Sequence, residues 1–430
     1  MKTIIMAGGQ GKRIQSLFGD VPKPLIKIGD KSVLEDEIES LSKQGFSDIL
    51  ITLSYKAEQI MSYIGDGSSL GVNIEYYVED KPLGNGGALF RIRDKLESVF
   101  LLINADSVFD IDLNRLLKYH HNKDALVTLV THPNNHPSDS GLIIADEDKY
   151  VKEWLNKEDE HPQWYKNSVN AGIHVIDPIV LDMVGDKKLI NKEGKIDLDR
   201  DILKPLCTTG KIVCYDTTEY IKDMGTPERY YHVCEDIKKG IVWRKNLINK
   251  QRAIFLDRDG TINKYVGFVR NIDEFELIDG VTEAIRLINE SGYLAVVVTN
   301  QPVIARGEVS KEELQEIHNK METLLGKDGA YVDAIYYCPH HPDIGFEGEI
   351  KELKTDCNCR KPKPGLLIRA AEELNIDLSQ SWCIGDSERD VIAGRRAGCK
   401  TGIINSGDYI GQVDIMAESL NSIIKKILEI

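Results

Sequence analysis

No apolar stretch in the 430 residues is long enough to cross a bilayer, so the sequence predicts no membrane span. Positive charge is also short: 54 Lys and Arg face 69 Asp and Glu, a formal net charge of −15. That balance argues against a nucleic-acid partner, which needs a basic face. The eight cysteines form no ladder of paired spacings; Cys207, Cys214, Cys234, Cys383 and Cys399 are scattered and read as ordinary packing residues. The opening Met1–Met6 runs straight into a glycine-rich loop and lacks the apolar core of a secretion signal. The expectation is a cytosolic chain with reduced thiols. No internal repeat is visible.

What is present fits a soluble globular protein, with 42% hydrophobic and 29% charged residues, and the length calls for two or three domains. Two series of short apolar runs alternate with amphipathic stretches. The first predicts strands at Ile4–Ala7, Ile49–Leu53, Val72–Val78, Phe100–Asn104 and Ala125–Val130, with helices at Ser32–Gln44, Gly87–Leu96 and Leu113–His121. The second predicts strands at Ala253–Leu256, Leu294–Thr299, Ala334–Tyr337, Trp382–Gly385 and Thr401–Ile404. Its helices fall at Val281–Ser291, Lys311–Leu325, Pro364–Leu374, Ser387–Ala397 and Ser419–Ile430. Strand–helix alternation predicts right-handed crossovers and mostly parallel sheets, hence two doubly wound α/β domains. The expected division is 1–235, a linker at 236–251, and 252–430.

The first strand ends in Met6-Ala7-Gly8-Gly9-Gln10-Gly11-Lys12-Arg13. Such glycines let successive backbone N–H groups cradle phosphate oxygens, and Arg13 can grip phosphate through two nitrogens. Neither a Walker A loop nor a dinucleotide fingerprint fits: Arg13 follows Lys12 where Ser or Thr belongs, and Ile14 stands where a third glycine belongs. Further along come Pro22-Lys23-Pro24-Leu25, Pro82-Leu83-Gly84-Asn85-Gly86-Gly87, Asn104-Ala105-Asp106, Asn170-Ala171-Gly172 and Asp223-Met224-Gly225-Thr226-Pro227.

In that order the motifs resemble the sugar-phosphate nucleotidyltransferases, and among them the guanylyltransferases of heptose 1-phosphate, over roughly the first 230 residues. The resemblance implies a nucleoside triphosphate, GTP, held by Ala7, Gly8, Gly9, Gly11, Gly84, Gly86 and Asp106. Arg13 and Lys23 would act on its phosphates, Asp106 and Asp223 would hold Mg²⁺, and Asn170, Gly172 and Lys157 would meet the sugar phosphate. Many relatives carry Glu-Lys after an aromatic residue, whereas this chain has Trp154-Leu155-Asn156-Lys157. A plain surface role for Lys157 therefore stays open.

The second series opens with Asp257-Arg258-Asp259-Gly260-Thr261 at a strand end. Alternate residues of an extended chain share a face, so the two carboxylates can serve one site as nucleophile and acid/base. Thr299-Asn300-Gln301, Arg360-Lys361-Pro362 and Gly385-Asp386-Ser387-Glu388-Arg389-Asp390 follow, each at a strand end or helix start. The four motifs resemble the haloacid dehalogenase phosphatases over about residues 252–430. The resemblance implies Asp257 as nucleophile and Asp259 as acid/base, with Thr299 and Lys361 on the phosphoryl oxygens. Mg²⁺ would sit on Asp257, Asp386 and the carbonyl of Asp259, with Asp390 in support.

Cys338-Pro339-His340 and Cys357-Asn358-Cys359 offer three thiols and an imidazole, the donor set of a closed tetrahedral zinc site. His341 is a rival for His340. This loop resembles that of the zinc-loop phosphatases of heptose 1,7-bisphosphate, and equally that of histidinol-phosphate phosphatases. Asn300, Arg306 and Arg360 are the candidate substrate contacts, with the two arginines facing a distal phosphate. Pro302-Val303 stands where a small Ser-Gly pair is expected.

Taken together, the resemblances imply a nucleotidyltransferase Rossmann-like domain followed by a haloacid dehalogenase-like domain. The expected activity is removal of the 7-phosphate from a heptose 1,7-bisphosphate, then nucleotidyl transfer to the heptose 1-phosphate. A hexose 1-phosphate, another small phosphomonoester, or one silent domain are the alternatives left at this stage.

Overall fold

Ile4 and Ile5, neighbours on one strand, are both fully buried, as are Ile49, Leu50 and Ile51 on the next. A strand covered on both faces shows such continuous apolar runs. The computed structural model describes residues 1–9, 11, 13–105, 107–185, 194–404 and 411–430. It divides into two units: Met1–His132 with Gly141–Glu158 and Val169–Asn246, and Leu247–Ile430 with Pro133–Ser140 and Asp159–Ser168.

The first unit is built on a nine-stranded sheet. Asn73–Val78, Asp48–Leu53, Lys2–Met6 and Phe100–Asn104 lie side by side and parallel. Chain order reverses between Lys2–Met6 and Phe100–Asn104, which opens a crevice beyond their carboxyl ends. Beyond Phe100–Asn104 the sheet turns mixed. Val169–Ile176 runs antiparallel to both Phe100–Asn104 and Val127–His132, and Leu142–Ala145 pairs with Val151–Leu155. Apolar periodicity announced Val127–His132 but not Val169–Ile176, where Asn170, Gly172 and His174 interrupt the run. Helix Val33–Lys43 starts on a capping box: Ser32 Oγ accepts from Glu35 N, and Ser32 N donates to Glu35 Oε2. Its Leu34, Ile38 and Leu41 pack into the core with Ile49 and Ile51.

The second unit holds six parallel strands in the order Ala334–Cys338, Leu294–Asn300, Ala253–Leu256, Trp382–Gly385, Lys400–Ile404, Ile415–Ala417. Here the reversal falls between Ala253–Leu256 and Trp382–Gly385, whose ends carry Asp257 and Asp386. Helix Lys311–Lys327, capped by Ser310 and Glu313, buries Ile317, Met321 and Leu325 on one face. The last helix, Leu420–Leu428, closes the same core through Leu420, Ile423 and Ile424. Segment 159–168 joins this unit because Thr323 Oγ1 accepts from Tyr165 N at 2.8 Å and donates to Tyr165 O at 3.1 Å.

Candidate active sites

In the first unit the crevice is a cavity of about 490 Å³. Of the residues expected to meet the nucleotide and its phosphates, Ala7, Gly8, Gly9, Gly11, Arg13, Lys23 and Gly84 line it, and Gly86 is not among the lining residues. Gly84 has φ of +84°, and a Cβ there would collide with the Ile196 carbonyl oxygen. The loop is laced to that residue: Ile196 N donates to Leu83 O at 2.8 Å, and Gly86 N donates to Ile196 O at 3.0 Å. Only glycine fits such an approach at positive φ. Lys23 is buried, 8% exposed, and lines the cavity. Asp106 lies outside the described residues.

Asp223, expected to hold Mg²⁺, is paired with Arg229. Its Oδ1 and Oδ2 accept from Arg229 Nη1 at 2.9 and 2.7 Å, and Oδ1 accepts from Gly225 N at 2.8 Å. Burial raises its pKa, but Arg229 outweighs burial and holds the carboxyl below the ordinary range. A cation at Asp223 would have to compete with Arg229. A Cβ on Gly225 would stand 3.2 Å from Arg13 Nη2, so Arg13 and Asp223 share one neighbourhood.

The sugar-side residues are more dispersed. Asn170 Oδ1 accepts from Gly172 N at 3.2 Å, and its Nδ2 faces Asp199 Oδ2 at 3.5 Å. Lys157 is exposed after strand Val151–Leu155. Asn85 and Asn104, from the quoted motifs, also line the cavity, as do Thr52 and Glu79, which no motif singled out. The available signal was positional, since Thr52, Glu79 and Asn104 lie at or beside the carboxyl ends of parallel strands bordering the crevice.

In the second unit Lys361, 3% exposed, sits at the centre of the acidic motifs. Its Nζ is 2.8 Å from Asp257 Oδ1, 2.6 Å from Asp390 Oδ1, and donates to Val298 O at 2.8 Å. Asp257, Asp386 and Asp390 each offer an oxygen within 4.8 Å of the others. Burial pushes the Asp257 carboxyl up to about 7, and Asp390 adds to that, against the opposing charge of Lys361. Asp386 is raised too, by burial first and Asp390 second. Three crowded carboxylates facing one lysine suit a divalent cation. Gly260, at φ +84°, packs where a Cβ would strike Asp386, so the DRDGT turn and Asp386 approach only because that residue is glycine.

Asp390 is more central than its expected supporting part. Its Oδ2 caps the helix by accepting from Ser387 N and Oγ, which leaves Oδ1 for Lys361. The Asp259 carboxylate is not one of the three that converge; it accepts from Arg258 and from Gln301 Nε2 at 2.8 Å. Thr299 Oγ1 accepts from the same Gln301 nitrogen at 2.9 Å. Asn300 serves as scaffold here, because Nδ2 donates to Lys361 O and Oδ1 accepts from Lys361 N, both at 3.0 Å. Its amide holds the Lys361 backbone.

Cys338, His340, Cys357 and Cys359 converge, with sulfur pairs at 3.2–3.5 Å and His340 Nδ1 3.3 Å from Cys359 Sγ. Hydrogen bonds from Cys338, then Cys357 and His340, pull Cys359 down to about 5 against its burial. Three thiols and one imidazole at this spacing fit a tetrahedral zinc ion. His341 faces elsewhere: its Nε2 meets Arg306 Nη2 at 3.1 Å, and its Nδ1 accepts from Asp343 N. Arg306 is stacked between Phe268 and Phe346, each 4.6 Å from ring centroid to guanidinium carbon. Arg360 donates to His340 O at 3.3 Å, and burial lowers its pKa.

Residues 2–240 match the family described as nucleotidyl transferase, and residues 358–419 match a HAD-hydrolase-like family. The D-glycero-beta-D-manno-heptose-1,7-bisphosphate 7-phosphatase of Pasteurella multocida is 46% identical over 154 residues, 36% of this chain and 81% of the relative. The protein of the same name from Haemophilus influenzae is 46% identical over 175 residues, 39% of this chain and 92% of the relative. Among solved structures, HddC from Yersinia pseudotuberculosis is 27% identical with a TM-score of 0.46, covering 55% of this chain and 99% of that one. The chain carries transferase and hydrolase domains: it belongs to the nucleotidyl transferase family through residues 2–240 and to the family of these heptose-bisphosphate phosphatases through its HAD-like part.

Proposed function

We propose that this is a bifunctional enzyme of sugar-nucleotide synthesis. The C-terminal part, 252–430, removes the 7-phosphate of D-glycero-D-manno-heptose 1,7-bisphosphate. The N-terminal part, 1–235, transfers GMP from GTP to the heptose 1-phosphate, giving GDP-heptose and pyrophosphate. The observation that carries this reading is the buried Asp257–Lys361–Asp390 cluster at the strand switch point, in a chain that shares its phosphatase part with 7-phosphatases of that bisphosphate.

An Asp257 oxygen attacks phosphorus, the ester P–O bond breaks, and Asp259 gives its proton to the departing C7 oxygen. Asp259 then takes a proton from water, which attacks the aspartyl-phosphate, releases phosphate and restores Asp257. Lys361 and Thr299 hold the phosphoryl oxygens, while Arg306 and Arg360 face the distal phosphate. Asp257, Asp386, Asp390 and the Asp259 carbonyl would hold Mg²⁺, which when bound supplies positive charge against the phosphoryl group. Zinc on Cys338, His340, Cys357 and Cys359 would have a structural part, since four protein ligands leave no open position.

At the other site the 1-phosphate oxygen of the sugar attacks the α-phosphorus of the nucleotide, and pyrophosphate leaves. Backbone amides of Gly8, Gly9 and Gly11 with Arg13 and Lys23 neutralise the phosphates, and positioning supplies most of the rate. Asp106 and Asp223 would share a second Mg²⁺; Asn170, Gly172 and Lys157 would meet the sugar phosphate. A guanine is supported by Glu79 in the cavity lining. Guanine presents two adjacent N–H donors, N1 and N2, which match one carboxylate; uracil, thymine and adenine do not.

The test is the purified full chain with Mg²⁺, heptose 1,7-bisphosphate and each of four nucleoside triphosphates, with products identified by mass. Phosphate is expected with any nucleotide or with none, and pyrophosphate and GDP-heptose with GTP alone. An intact bisphosphate, or equal use of every nucleotide, overturns the assignment.

A further inference from the structure

Arg258 stands between the two aspartates in sequence, yet its side chain is entirely withdrawn from solvent, 0% exposed. One edge of its guanidinium grips Asp259: Nε is 3.2 Å and Nη2 2.9 Å from Oδ1, and Nη2 is 3.0 Å from Oδ2. The other terminal nitrogen, Nη1, meets Nε2 of His318 at 3.3 Å. His318 comes from the middle of helix Lys311–Lys327, is 2% exposed, and belongs to none of the motifs read along the chain.

A guanidinium stays charged inside a protein, so each buried N–H of Arg258 demands an acceptor. Imidazole accepts at Nε2 only when neutral, with its proton on Nδ1. Burial, with the charge of Arg258 added, holds the His318 pKa well below the ordinary histidine value. On the opposite side Gln301 Nε2 donates to Asp259 Oδ2, so the carboxyl is clamped between two fixed donors. Without an acceptor at His318, Nη1 would be a buried charged donor left unpaired, and the guanidinium would turn to satisfy it, releasing Asp259.

We propose that His318 is a positioning residue for phosphate-ester hydrolysis: it accepts from Arg258 Nη1 and thereby fixes the guanidinium edge that orients the Asp259 carboxyl. The inference rests on Asp259 being the acid and base. In the step it serves, the Asp257–phosphorus bond forms, the ester P–O bond breaks and the proton passes from Asp259 to the leaving oxygen.

The experiment compares kcat/KM for heptose 1,7-bisphosphate, whose alkoxide leaving group needs that proton, with kcat/KM for 4-nitrophenyl phosphate, whose phenolate does not. His318→Phe keeps a ring and removes the acceptor; His318→Gln places an amide oxygen near the Nε2 position. His318→Phe should lower the sugar-to-aryl ratio by about tenfold or more, and His318→Gln should return it to within about threefold of the parent. A parallel fall on both substrates, or a Gln variant no better than Phe, overturns the proposal. If His318→Phe does not fold, as judged by its melting curve, His318→Met removes the same acceptor and carries the comparison. Asp259→Asn is the separate control: if it leaves the ratio unchanged, the acid/base reading itself fails, whatever His318 does.

Discussion

Lys361 Nζ stands 2.8 Å from Asp257 Oδ1 in a buried setting, with Asp390 on its other side at 2.6 Å. Burial alone would lower the lysine pKa, but the two carboxylates outweigh it and raise it, so the ammonium is firmly charged. Lys361→Met should abolish phosphate release and, by leaving Asp257 and Asp390 without a counter-charge, destabilise the second unit by about 3–5 kcal/mol. Asp257→Asn should abolish phosphate release while sparing nucleotidyl transfer. Phosphate release from the bisphosphate, and pyrophosphate release with heptose 1-phosphate supplied directly, check both on the same preparations; loss of both activities in Asp257→Asn would refute the two-site reading.

The Cys338, His340, Cys357, Cys359 cluster predicts one zinc per chain by elemental analysis of the purified protein. Cys359→Ser should drop that content to near zero and lower the melting temperature by about 5–10 °C. His341→Ala should keep the zinc, because the His341 ring faces Arg306. Zinc lost from the His341 variant and retained in a His340 variant would reverse the ligand assignment.

Glu79 lines the cavity of the first unit, its Oε2 accepts from Leu83 N at 3.2 Å, and burial raises its pKa. A carboxylate paired with two guanine N–H groups is worth about 1–3 kcal/mol of base discrimination. Glu79→Gln should therefore cut the preference for GTP over other nucleotides by about five- to a hundredfold, read as kcat/KM for each. An unchanged nucleotide preference would remove Glu79 from base recognition.

His174 is fully buried in strand Val169–Ile176, and neither ring nitrogen has a hydrogen-bond partner. Burial pulls its pKa from 6.5 down to about 3. The folded state therefore holds it neutral while the unfolded chain binds a proton below the ordinary histidine value. Its contribution is fully present above pH 6.5 and is lost as pH falls toward 3, at about 1.4 kcal/mol per pH unit. Urea unfolding at pH 7.5, 6 and 5 should show this extra slope in the parent and not in His174→Leu. Equal slopes would mean that the ring is hydrated or paired in solution.

Much of the architecture was legible along the chain. Strands Phe100–Asn104, Ala253–Leu256 and Trp382–Gly385 and helix Val281–Ser291 fall where apolar runs placed them, because both-face burial and helical spacing leave a local signature. The glycine loops were legible for a similar reason: a backbone that must turn close to a neighbour admits no side chain, as at Gly84 and Gly260. The chemistry-bearing residues stood out because their types recur at strand ends in a fixed order.

By itself, then, the sequence determined two alternating α/β series, the phosphate loops and the identities of the carboxylates, thiols and lysines. It could not say that Asp390 would reach Lys361 through a helix cap, that Arg229 would engage Asp223, or that His340 and not His341 would turn to the thiols. Nor did it place Glu79 in the cavity or His318 behind Arg258. Those relations join residues far apart in the chain, and side-chain direction at such contacts is set by packing and by pairing buried charge.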